Sequence, residues 1–340
     1  MAALSPLLPG QRAEIVSLIP AVSGGVHDYA QVLGRHIPSR ILAATPETAL
    51  SDYGNGQIVL HFSGYGFHPR GIPMWLVQRV RQLRRQGARV GIYFHELFAS
   101  SMQPWRSAFW LSPMQRHIAR ELGGQADYWL TSHEDGASWL RRHCPAVPHR
   151  VQPVYSNVGE PDTMPRGRTD RIVVFGTPLI RARTYALLDD AFWHWTQVQG
   201  LQVHDIGPSI DSDAFRQLVE TGRVQAHGKL EAADVSLHLA QARFGLLSYP
   251  QRVIAKSGIF AAYCSHGLCP VLLSDRYHDH EHLHAGRHYI PGLTALMRQE
   301  CDPAAVGKAA YSWYQPHRSQ AHAAAVLELI GTTHEHRARP

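Results

Sequence analysis

The chain has 340 residues, of which 44% are hydrophobic and 18% are charged, so its composition is that of a folded globular protein and not of a disordered one. This length suits two domains of about 150 residues each. The sequence shows no apolar run long enough to span a membrane and no secretory signal. Its four scattered cysteines do not form a disulfide framework. We therefore expect a cytoplasmic location.

The net charge of +6 comes almost entirely from arginine, because only three of the 33 basic residues are lysines. A surplus of positive charge suits polyanionic partners such as nucleic acid, anionic lipid headgroups or phosphorylated substrates. A GC-rich genome would produce the same bias toward arginine. The rarity of lysine makes the position of each one informative.

Strand-like and helix-like segments alternate along the first half of the chain. Apolar runs of about four to eight residues that alternate with helical patterns are typical of βαβ units around a parallel sheet. Buried strands are predicted at EIVSLIP (14–20), QIVLHFS (57–63), RVGIYFH (89–95) and DYWLTS (127–132).

This alternation stops at SNVGEPDTMPRGRTD (156–170), where Pro, Gly and polar residues predict an interdomain linker. It then restarts with the strands RIVVFGT, VHDIG, VQAHG, FGLLSY and CPVLLS. The fold class that we predict is α/β, with two Rossmann-like doubly wound domains facing a cleft. The predicted domains are residues 1–155 and 156–320, followed by a C-terminal helix and tail at 321–340.

Glycines follow the first predicted strand, at a place where ligands commonly bind. Parallel sheets bind ligands at the carboxyl ends of their strands, where loops meet the amino termini of helices. Gly24 and Gly25 would let a ligand approach the backbone closely, although a simple turn explains them equally well. Their spacing is not the GxGxxG of dinucleotide-binding proteins, which argues against an NAD or FAD enzyme.

A similar position occurs in the second predicted domain. Gly176 and Thr177 end its first strand and are followed by Arg181 and Arg183. Arginine offers forked donors that match phosphate oxygens. The two arginines would also fit a solvated helix face.

Two further candidate positions contain two of the three lysines. Gly228 and Lys229 end the strand VQAHG, where glycine permits a flat ring such as a nucleobase to approach, and where a simple turn is equally expected. Lys256, Ser257 and Gly258 begin the helix IFAAYCSHG, so that a flexible cation, a hydroxyl and the free N–H groups of the helix start converge. This combination predicts a diphosphate site. The absence of GxxxxGK spacing argues against a P-loop nucleotidase.

The segments YFHEL, VYSNVG, VVFGT, VQAHGKL and KSGIFAAYCSHGLCPVL occur in this order after the Gly-Gly loop. Over about residues 14–330, this order resembles that of GT-B fold glycosyltransferases near the large family four (group 1) of retaining enzymes. The resemblance implies that the second domain binds a nucleotide-sugar donor and that the first domain binds an acceptor. It implies that Gly228 lies near the base, that Lys256–Gly258 lies near the diphosphate, and that the Gly24-Gly25 loop faces the donor.

The sequence departs from family four at its paired glutamates. The family has two glutamates eight positions apart, and the second lies five residues before the glycine that ends the helix. Counting back from Gly267 reaches Ala262 and then Ile254, neither of which is acidic. The identity of the sugar and the choice between retaining and inverting chemistry therefore stay open. We expect Lys256 to take over part of the anion binding.

Glycosyl transfer needs the departing diphosphate to be stabilised and the acceptor hydroxyl to be oriented or deprotonated. His95 and Glu96 end a strand of the first domain, and we predict that they are the catalytic residues. In an inverting enzyme one of them would act as the base, whereas in a retaining enzyme they would position the substrate. A structural hydrogen-bonded pair is about equally expected.

Two other segments suggest additional partners. The run YHDHEHLHAGRH (277–288) contains five histidines and suggests zinc, but a solvated loop is the favoured interpretation, and we predict no metal site. The helix PMWLVQRVRQLRRQG and the stretch PWRSAFWLSPM combine arginines with aromatic residues. They predict peripheral contact with the cytoplasmic face of a membrane, or else a core-facing helix with a basic outer face.

The function that we predict is a metal-independent glycosyltransferase of the hexosyl type, acting in the synthesis of a polysaccharide or glycoconjugate. Its substrates would be a nucleotide-sugar donor and a glycan or lipid-linked acceptor, with no cofactor and no nucleic-acid partner. One alternative is a nucleotide-sugar epimerase on the same fold. Another is a non-catalytic protein of this fold that binds a nucleotide.

Overall fold

The computed structural model of the chain describes residues 15–22, 24–50, 53, 56–99, 105, 107–277, 279 and 282–338. The chain divides into two compact units, of which the first comprises residues 1–152 and 322–340 and the second comprises residues 153–321. The second unit is therefore one continuous segment, whereas the first is built from two separate stretches.

The first unit is a six-stranded parallel sheet with helices. Its strands are β1 (Ile15–Pro20), β2 (Ser39–Ala44), β3 (Gln57–Ser63), β4 (Arg89–Glu96), β5 (Tyr128–Thr131) and β6 (His149–Val151). Their order in the sheet is β2-β1-β3-β4-β5-β6. Its helices are α1 (Gly25–Gly34), α2 (Gly64–Phe67), α3 (Met74–Arg85), α4 (Ser107–Gln125) and α5 (Glu134–His143).

The core of this unit lies on the central strands. All seven residues of β3 are buried, as expected for a parallel strand that is covered on both faces. At Gly91 in β4, an added Cβ would lie 2.0 Å from the ring of Tyr128, so the two strands pack closely only because this residue is glycine. Leu76, Val80 and Leu83 of α3 are buried, so this helix turns its apolar face to the core.

The second unit is a second six-stranded parallel sheet. Its strands are β7 (Thr169–Phe175), β8 (Gln202–Ile206), β9 (Val224–Ala226), β10 (Ala242–Ser248), β11 (Cys269–Leu273) and β12 (Ile290–Pro291). Their order is β12-β11-β10-β7-β8-β9.

The helices of the second unit are α6 (Pro178–Tyr185), α7 (Asp190–Val198), α8 (Asp213–Glu220), α9 (Ala232–Gln241), α10 (Gly258–Ser265), α11 (Gly292–Met297) and α12 (Pro303–Tyr314). A short 3-10 helix, Gln251–Lys256, comes just before α10. The last helix, α13 (Ser319–Ala338), begins in the second unit and continues from His322 as part of the first.

In both sheets the first strand lies inside the sheet, and the chain moves outward from it in two directions. Ligands bind parallel sheets at such a switch point, outside the carboxyl ends of the strands. In the first unit this point lies between β1 and β3, and in the second unit it lies between β7 and β10. The predicted α/β class with two doubly wound domains is confirmed.

Residues 152–168, all of which the structure describes, form no strand or helix, and the sequence predicted a linker there. Within this segment Glu160 is fixed by the start of α13. Its carboxylate accepts hydrogen bonds from the Ser319 N–H at 3.0 and 3.2 Å and from the Tyr314 hydroxyl. None of the helices in the described part of the chain is long and apolar enough to cross a membrane.

Candidate functional site

The predicted diphosphate site lies at the start of α10, where Ser257 is the N-cap residue. Ser257 is buried, and its Oγ accepts a hydrogen bond from the Phe260 N–H at 3.2 Å. The Ala261 N–H donates to the Ser257 carbonyl at 2.9 Å. Within the described residues, the N–H groups of Gly258 and Ile259 have no protein acceptor. Two backbone donors at the positive end of the helix dipole are therefore available to an anion.

Lys256 supplies a positive charge beside these donors. It is the last residue of the 3-10 helix and directly precedes the N-cap of α10. Its side chain is half-buried, and no hydrogen bond or ion pair engages its ammonium group in the part of the chain that the structure describes. A phosphate held by the helix start could therefore accept a charge-assisted hydrogen bond from Lys256 without breaking an existing contact.

Gly176, at the end of β7, packs directly against the start of α10. Its φ is +128°, and an added Cβ would lie 2.3 Å from Cδ1 of Ile259. A side chain at this position would therefore strain the backbone and push the Ile259 side chain, in the first turn of α10, out of its place. The structure thus brings together two candidates that are some 80 residues apart in the sequence.

A third glycine, Gly207, contacts both Gly176 and Gly228. It was not among the candidate residues predicted from the sequence. Gly207 directly follows β8 and has a φ of +150°, and an added Cβ would lie 2.3 Å from the carbonyl oxygen of Gly176. The Gly207 N–H donates to the carbonyl of Gly228 at 2.9 Å. We refer to Gly176, Gly207 and Gly228 as the glycine edge. In the sequence, Gly207 ends the predicted strand VHDIG, just as Gly176 and Gly228 lie at the ends of their own predicted strands. This shared position could have identified Gly207 as a candidate site residue.

Gly228 and its neighbour Lys229 are exposed at the end of this edge. Gly228 has a φ of +69°, and no atom lies within 4 Å of an added Cβ. Glycine is therefore favoured there by its left-handed conformation and not by crowding. The space beside Gly228 is open to a ligand, as the predicted base site requires.

Arg181 does not occupy the ligand-facing position that the sequence predicted. Its side chain is fully buried, forms an ion pair with Asp205, and donates to the carbonyls of Pro208 and, at 3.0 Å, of Gly176. All of these acceptors belong to the protein, so we remove Arg181 from the proposed donor-binding set. It instead fixes the β7 and β8 loops on which the glycine edge is built.

Asp205 has a second partner in the same buried cluster. The Tyr185 hydroxyl donates to Asp205 Oδ2 at 3.0 Å. Burial, and then the neighbouring carboxylate of Asp205, raises the pKa of Tyr185 well above its usual value, so this donor keeps its proton.

Thr177 and Arg183, the other two predicted residues near Gly176, are exposed at α6, where a ligand could reach them.

The second candidate group lies in the first unit, at the carboxyl ends of β3 and β4. His95 and Glu96 are the last two residues of β4. The ring atom Nε2 of His95 lies 3.2 Å from Nδ1 of His61, and Glu96 Oε2 accepts a hydrogen bond from the Ser63 hydroxyl at 3.2 Å. Both partners come from β3, which pairs with β4. The strand pairing therefore holds both candidate side chains in place.

His61 is fully buried, and this burial lowers its pKa to about 4. At pH 7 it is a neutral imidazole that can either donate or accept through Nδ1. If His95 took up a proton, neutral His61 could accept a hydrogen bond from the resulting imidazolium. The pair is thus suited to a His95 that changes its charge during a reaction.

Aromatic rings surround His95 on the side of α1. Its ring centre lies 4.8 Å from that of Tyr29 and 4.2 Å from that of Tyr93. Tyr29 is on α1, the helix that Gly24 and Gly25 begin, and its hydroxyl bonds to Nδ1 of His322. The structure therefore brings the start of α1 near the predicted catalytic pair.

The Gly24-Gly25 loop has open space on both residues. No atom lies within 4 Å of a Cβ added to either glycine. The Gly24 carbonyl accepts from the N–H groups of His27 at 2.8 Å and Asp28 at 3.1 Å, which starts α1. Ser23, which directly precedes Gly24, lies outside the described residues.

The histidine-rich run 277–288 is only partly described, and His278 and His280 lie outside the described residues. His284 Nδ1 lies 3.0 Å from an Asp279 oxygen, and the His284 N–H donates to Nδ1 of His288 at 3.0 Å. These contacts are local to the loop. Among the described residues, no cluster of three metal-ligating side chains occurs in this run.

Comparisons with known proteins support the fold. No protein-family model matches the chain, and no curated protein matches its sequence. Sucrose-phosphate synthase from Thermosynechococcus elongatus matches with 15% identity and a TM-score of 0.58, over 94% of this chain and 98% of that one. A protein described as a UDP-N-acetylglucosamine 2-epimerase from Listeria monocytogenes matches with 12% identity and a TM-score of 0.58, over 97% and 99%.

A third solved structure is the lipopolysaccharide outer core galactosyltransferase WaaB. It matches with 12% identity and a TM-score of 0.54, over 94% of this chain and 99% of that one. These matches, together with the two parallel six-stranded sheets, show that the chain has the GT-B fold. At such low identity they establish the fold alone.

Proposed function

We propose that the protein is a glycosyltransferase that moves a sugar from a nucleotide-sugar donor to a glycan, lipid-linked or other glycoconjugate acceptor. The observation that carries this proposal is the start of α10. There, two N–H groups have no protein acceptor among the described residues, half-buried Lys256 directly precedes the N-cap, and the Ile259 side chain packs against Gly176 of the glycine edge. A diphosphate is the ligand chemistry that this arrangement suits.

The donor chemistry follows from the charge that develops at the leaving group. When the bond from sugar to diphosphate breaks, negative charge accumulates on the departing phosphate oxygens. Preorganised N–H groups and a cation stabilise such charge more strongly in the transition state than in the ground state. In our proposal the Gly258 and Ile259 N–H groups and Lys256 have this role, and the base lies beside Gly228.

The positions of the family's paired glutamates carry buried apolar side chains in this structure. Ile254 and Ala262 are both completely buried. Contacts to the donor sugar and ribose would therefore have to come from other residues. For this reason we propose neither a particular sugar nor a stereochemical outcome, and we assign the anion binding to Lys256.

The acceptor chemistry is assigned to His95 and Glu96. A base within hydrogen-bond reach of the acceptor hydroxyl would remove its proton as the new bond to the sugar forms. His61 supports this role for His95, since its neutral ring can accept a hydrogen bond from the protonated form. Ser63 similarly orients the Glu96 carboxylate.

An exposed apolar patch in the first unit supports peripheral contact with a lipid surface. Trp105 and Trp110 are 79% and 70% exposed, and Phe109 and Met114 lie beside them in the sequence with large exposed fractions. Aromatic residues of this kind sit well at the boundary between headgroups and acyl chains. This patch favours an acceptor carried by a lipid, although it does not define the acceptor glycan.

A screen of nucleotide-sugars tests the proposed reaction directly. Each donor is incubated with the protein, with and without a pool of glycan and lipid-linked acceptors, and free nucleotide is measured. A glycosyltransferase should release nucleotide in a manner that depends on the acceptor. Isomerisation of the donor without any acceptor and without net release of nucleotide would instead support an epimerase, the second candidate, which the likeness to the Listeria protein favours. Binding without any turnover would support a non-catalytic protein.

Replacing Lys256 with alanine should weaken the binding of nucleoside diphosphates by about 10- to 150-fold. This corresponds to about 1.5–3 kcal/mol, the range for a hydrogen bond to a charged group. Calorimetry with UDP, GDP and ADP measures the effect. Lys308→Ala is the matched control, because Lys308 is an exposed lysine on α12 of the same unit. Unchanged affinity for all three nucleotides in a folded Lys256 variant would reject the site.

The diphosphate should be held without Mg²⁺ or Mn²⁺. The proposed cradle consists of N–H groups and a lysine, and among the described residues no cluster of three metal-ligating side chains lies at the start of α10. Protein dialysed against a chelator should therefore keep most of its turnover, and added Mg²⁺ or Mn²⁺ should not increase it. A loss of turnover that either ion restores would contradict this assignment.

A further inference from the structure

We propose that His204, His227 and His238 form a binding site for one transition-metal ion of the zinc class. The site does not depend on the proposed transferase activity, and its three ligands come from three different elements. His204 is on β8, His227 directly follows β9, and His238 is on α9.

The three imidazoles converge on one small volume. Each residue has a ring nitrogen within 4.8 Å of a ring nitrogen of each of the other two. His204 Nδ1 lies 2.8 Å from His227 Nε2, and the ring centres of His227 and His238 are 4.4 Å apart. Zinc binds imidazole at about 2.0–2.1 Å, which separates neighbouring tetrahedral ligands by about 3.3 Å. The first pair must therefore open by about 0.5 Å on binding.

The site contains buried nitrogen atoms that no protein group satisfies. His204 is only 3% exposed, and its Nε2 has no hydrogen-bond partner among the described residues. His238 Nδ1 is likewise buried without a partner in this part of the chain. An unsatisfied buried polar atom is unfavourable by about 1–3 kcal/mol, so such atoms call for an explanation. A metal ion takes one ring nitrogen from each histidine, so an ion bound through His204 Nδ1 could satisfy His238 Nδ1 but would leave His204 Nε2 without a partner.

The charge state of the trio is the one that metal binding requires. Burial lowers the pKa of His204 to about 4, and it also lowers the pKa of His227 and of His238. All three rings are therefore neutral at pH 7 and can each offer a lone pair. The positive charge of Arg171 also lowers the pKa of His204 and of His227, and it would repel a bound cation. The negative charge of Asp205 raises the pKa of His227 and would attract one.

The ligand type indicates the class of ion. Imidazole suits zinc, copper, nickel and cobalt, while Mg²⁺ and Ca²⁺ prefer oxygen ligands. His227 and His238 are half-buried, so solvent can reach the site and water can complete a tetrahedron. Because Gly228 directly follows His227, a bound ion would also fix the end of β9 at the glycine edge.

Titration of the full chain with metal, after removal of bound ions by a chelator, tests this inference. Calorimetry should show one tight Zn²⁺ site per chain, and Co²⁺ at the same site should give a visible d–d absorption band. His238→Ala and His227→Asn should each weaken Zn²⁺ binding at least about 100-fold, since losing even an outer-shell partner of a ligand weakens binding about 10- to 100-fold. Both residues are half-buried, so these variants should fold even if a His204 variant does not.

The matched control is the double variant His284→Asn/His288→Asn in the histidine-rich run, which should leave Zn²⁺ affinity and the Co²⁺ band unchanged. If the double variant loses the site while His238→Ala keeps it, the metal binds in that run and the proposal is wrong. Absence of any tight Zn²⁺ site in the unmodified protein would overturn it as well. Neither result bears on the transferase proposal, which is measured by release of nucleotide.

Discussion

Replacing His95 with alanine, or Glu96 with glutamine, should lower kcat by about 10²- to 10⁴-fold, the effect of losing a general base. Nucleotide affinity should stay nearly unchanged, because the proposed diphosphate cradle belongs to the other unit. The expected losses in kcat and in kcat/KM are therefore similar, which is the signature of an interaction made in the transition state. Initial rates at saturating donor, measured together with thermal unfolding, provide the test.

The alternative is that these two residues only support their loop. In that case the variants would lose thermal stability and keep most of their activity per folded molecule. His117→Ala is a suitable control, because His117 is an exposed histidine on α4 of the same unit. Two stable variants that retain more than about a third of the wild-type kcat would exclude a catalytic role. Such a loss corresponds to a rise of less than about 0.7 kcal/mol in the activation free energy.

Replacing Arg181 with methionine should reduce the free energy of unfolding by about 3–5 kcal/mol. The change removes the partner of buried Asp205 and leaves an uncompensated charge in the interior. It also leaves the carbonyls of Gly176 and Pro208 without their donor. Urea denaturation followed by circular dichroism should show a lower midpoint with an unchanged slope.

Two further variants make this prediction specific. Arg183 lies two residues further along α6, and its side chain is exposed. Arg183→Met should therefore change the free energy of unfolding by less than about 0.5 kcal/mol. Arg181→Met combined with Asp205→Asn should be less destabilised than Arg181→Met alone, because the isolated charge is removed. Equal stability of Arg181→Met and the unmodified protein would mean that Arg181 is not a structural residue.

Most of the architecture could be predicted from the sequence, since strands buried on both faces appear as short apolar runs between helices. The N-cap at Ser257 was also predictable, because a serine before Gly258 at the start of an apolar stretch has a local meaning. The burial of Arg181 was not. An arginine on a helix looks the same in sequence whether it faces solvent or an aspartate of the neighbouring strand.

The three-histidine cluster shows the same limit more sharply. Its three members lie on β8, directly after β9 and on α9. Their separations along the chain do not match a known spacing of metal ligands. The zinc hypothesis from the sequence concerned the histidine-rich run 277–288 instead. Local density of histidine is visible in a sequence, whereas convergence depends on how strands and helices are arranged in the fold.

The return of α13 to the first unit has a consequence for the order in which the protein forms during synthesis. Residues 153–321 are continuous, so this unit has all of its parts as soon as that stretch has left the ribosome. The amino-terminal unit is made earlier but is incomplete until residues from 322 onward emerge, because Tyr29 of α1 bonds to His322. A released chain that ended before residue 322 would therefore contain every residue of the later unit and an earlier unit that lacks its closing helix.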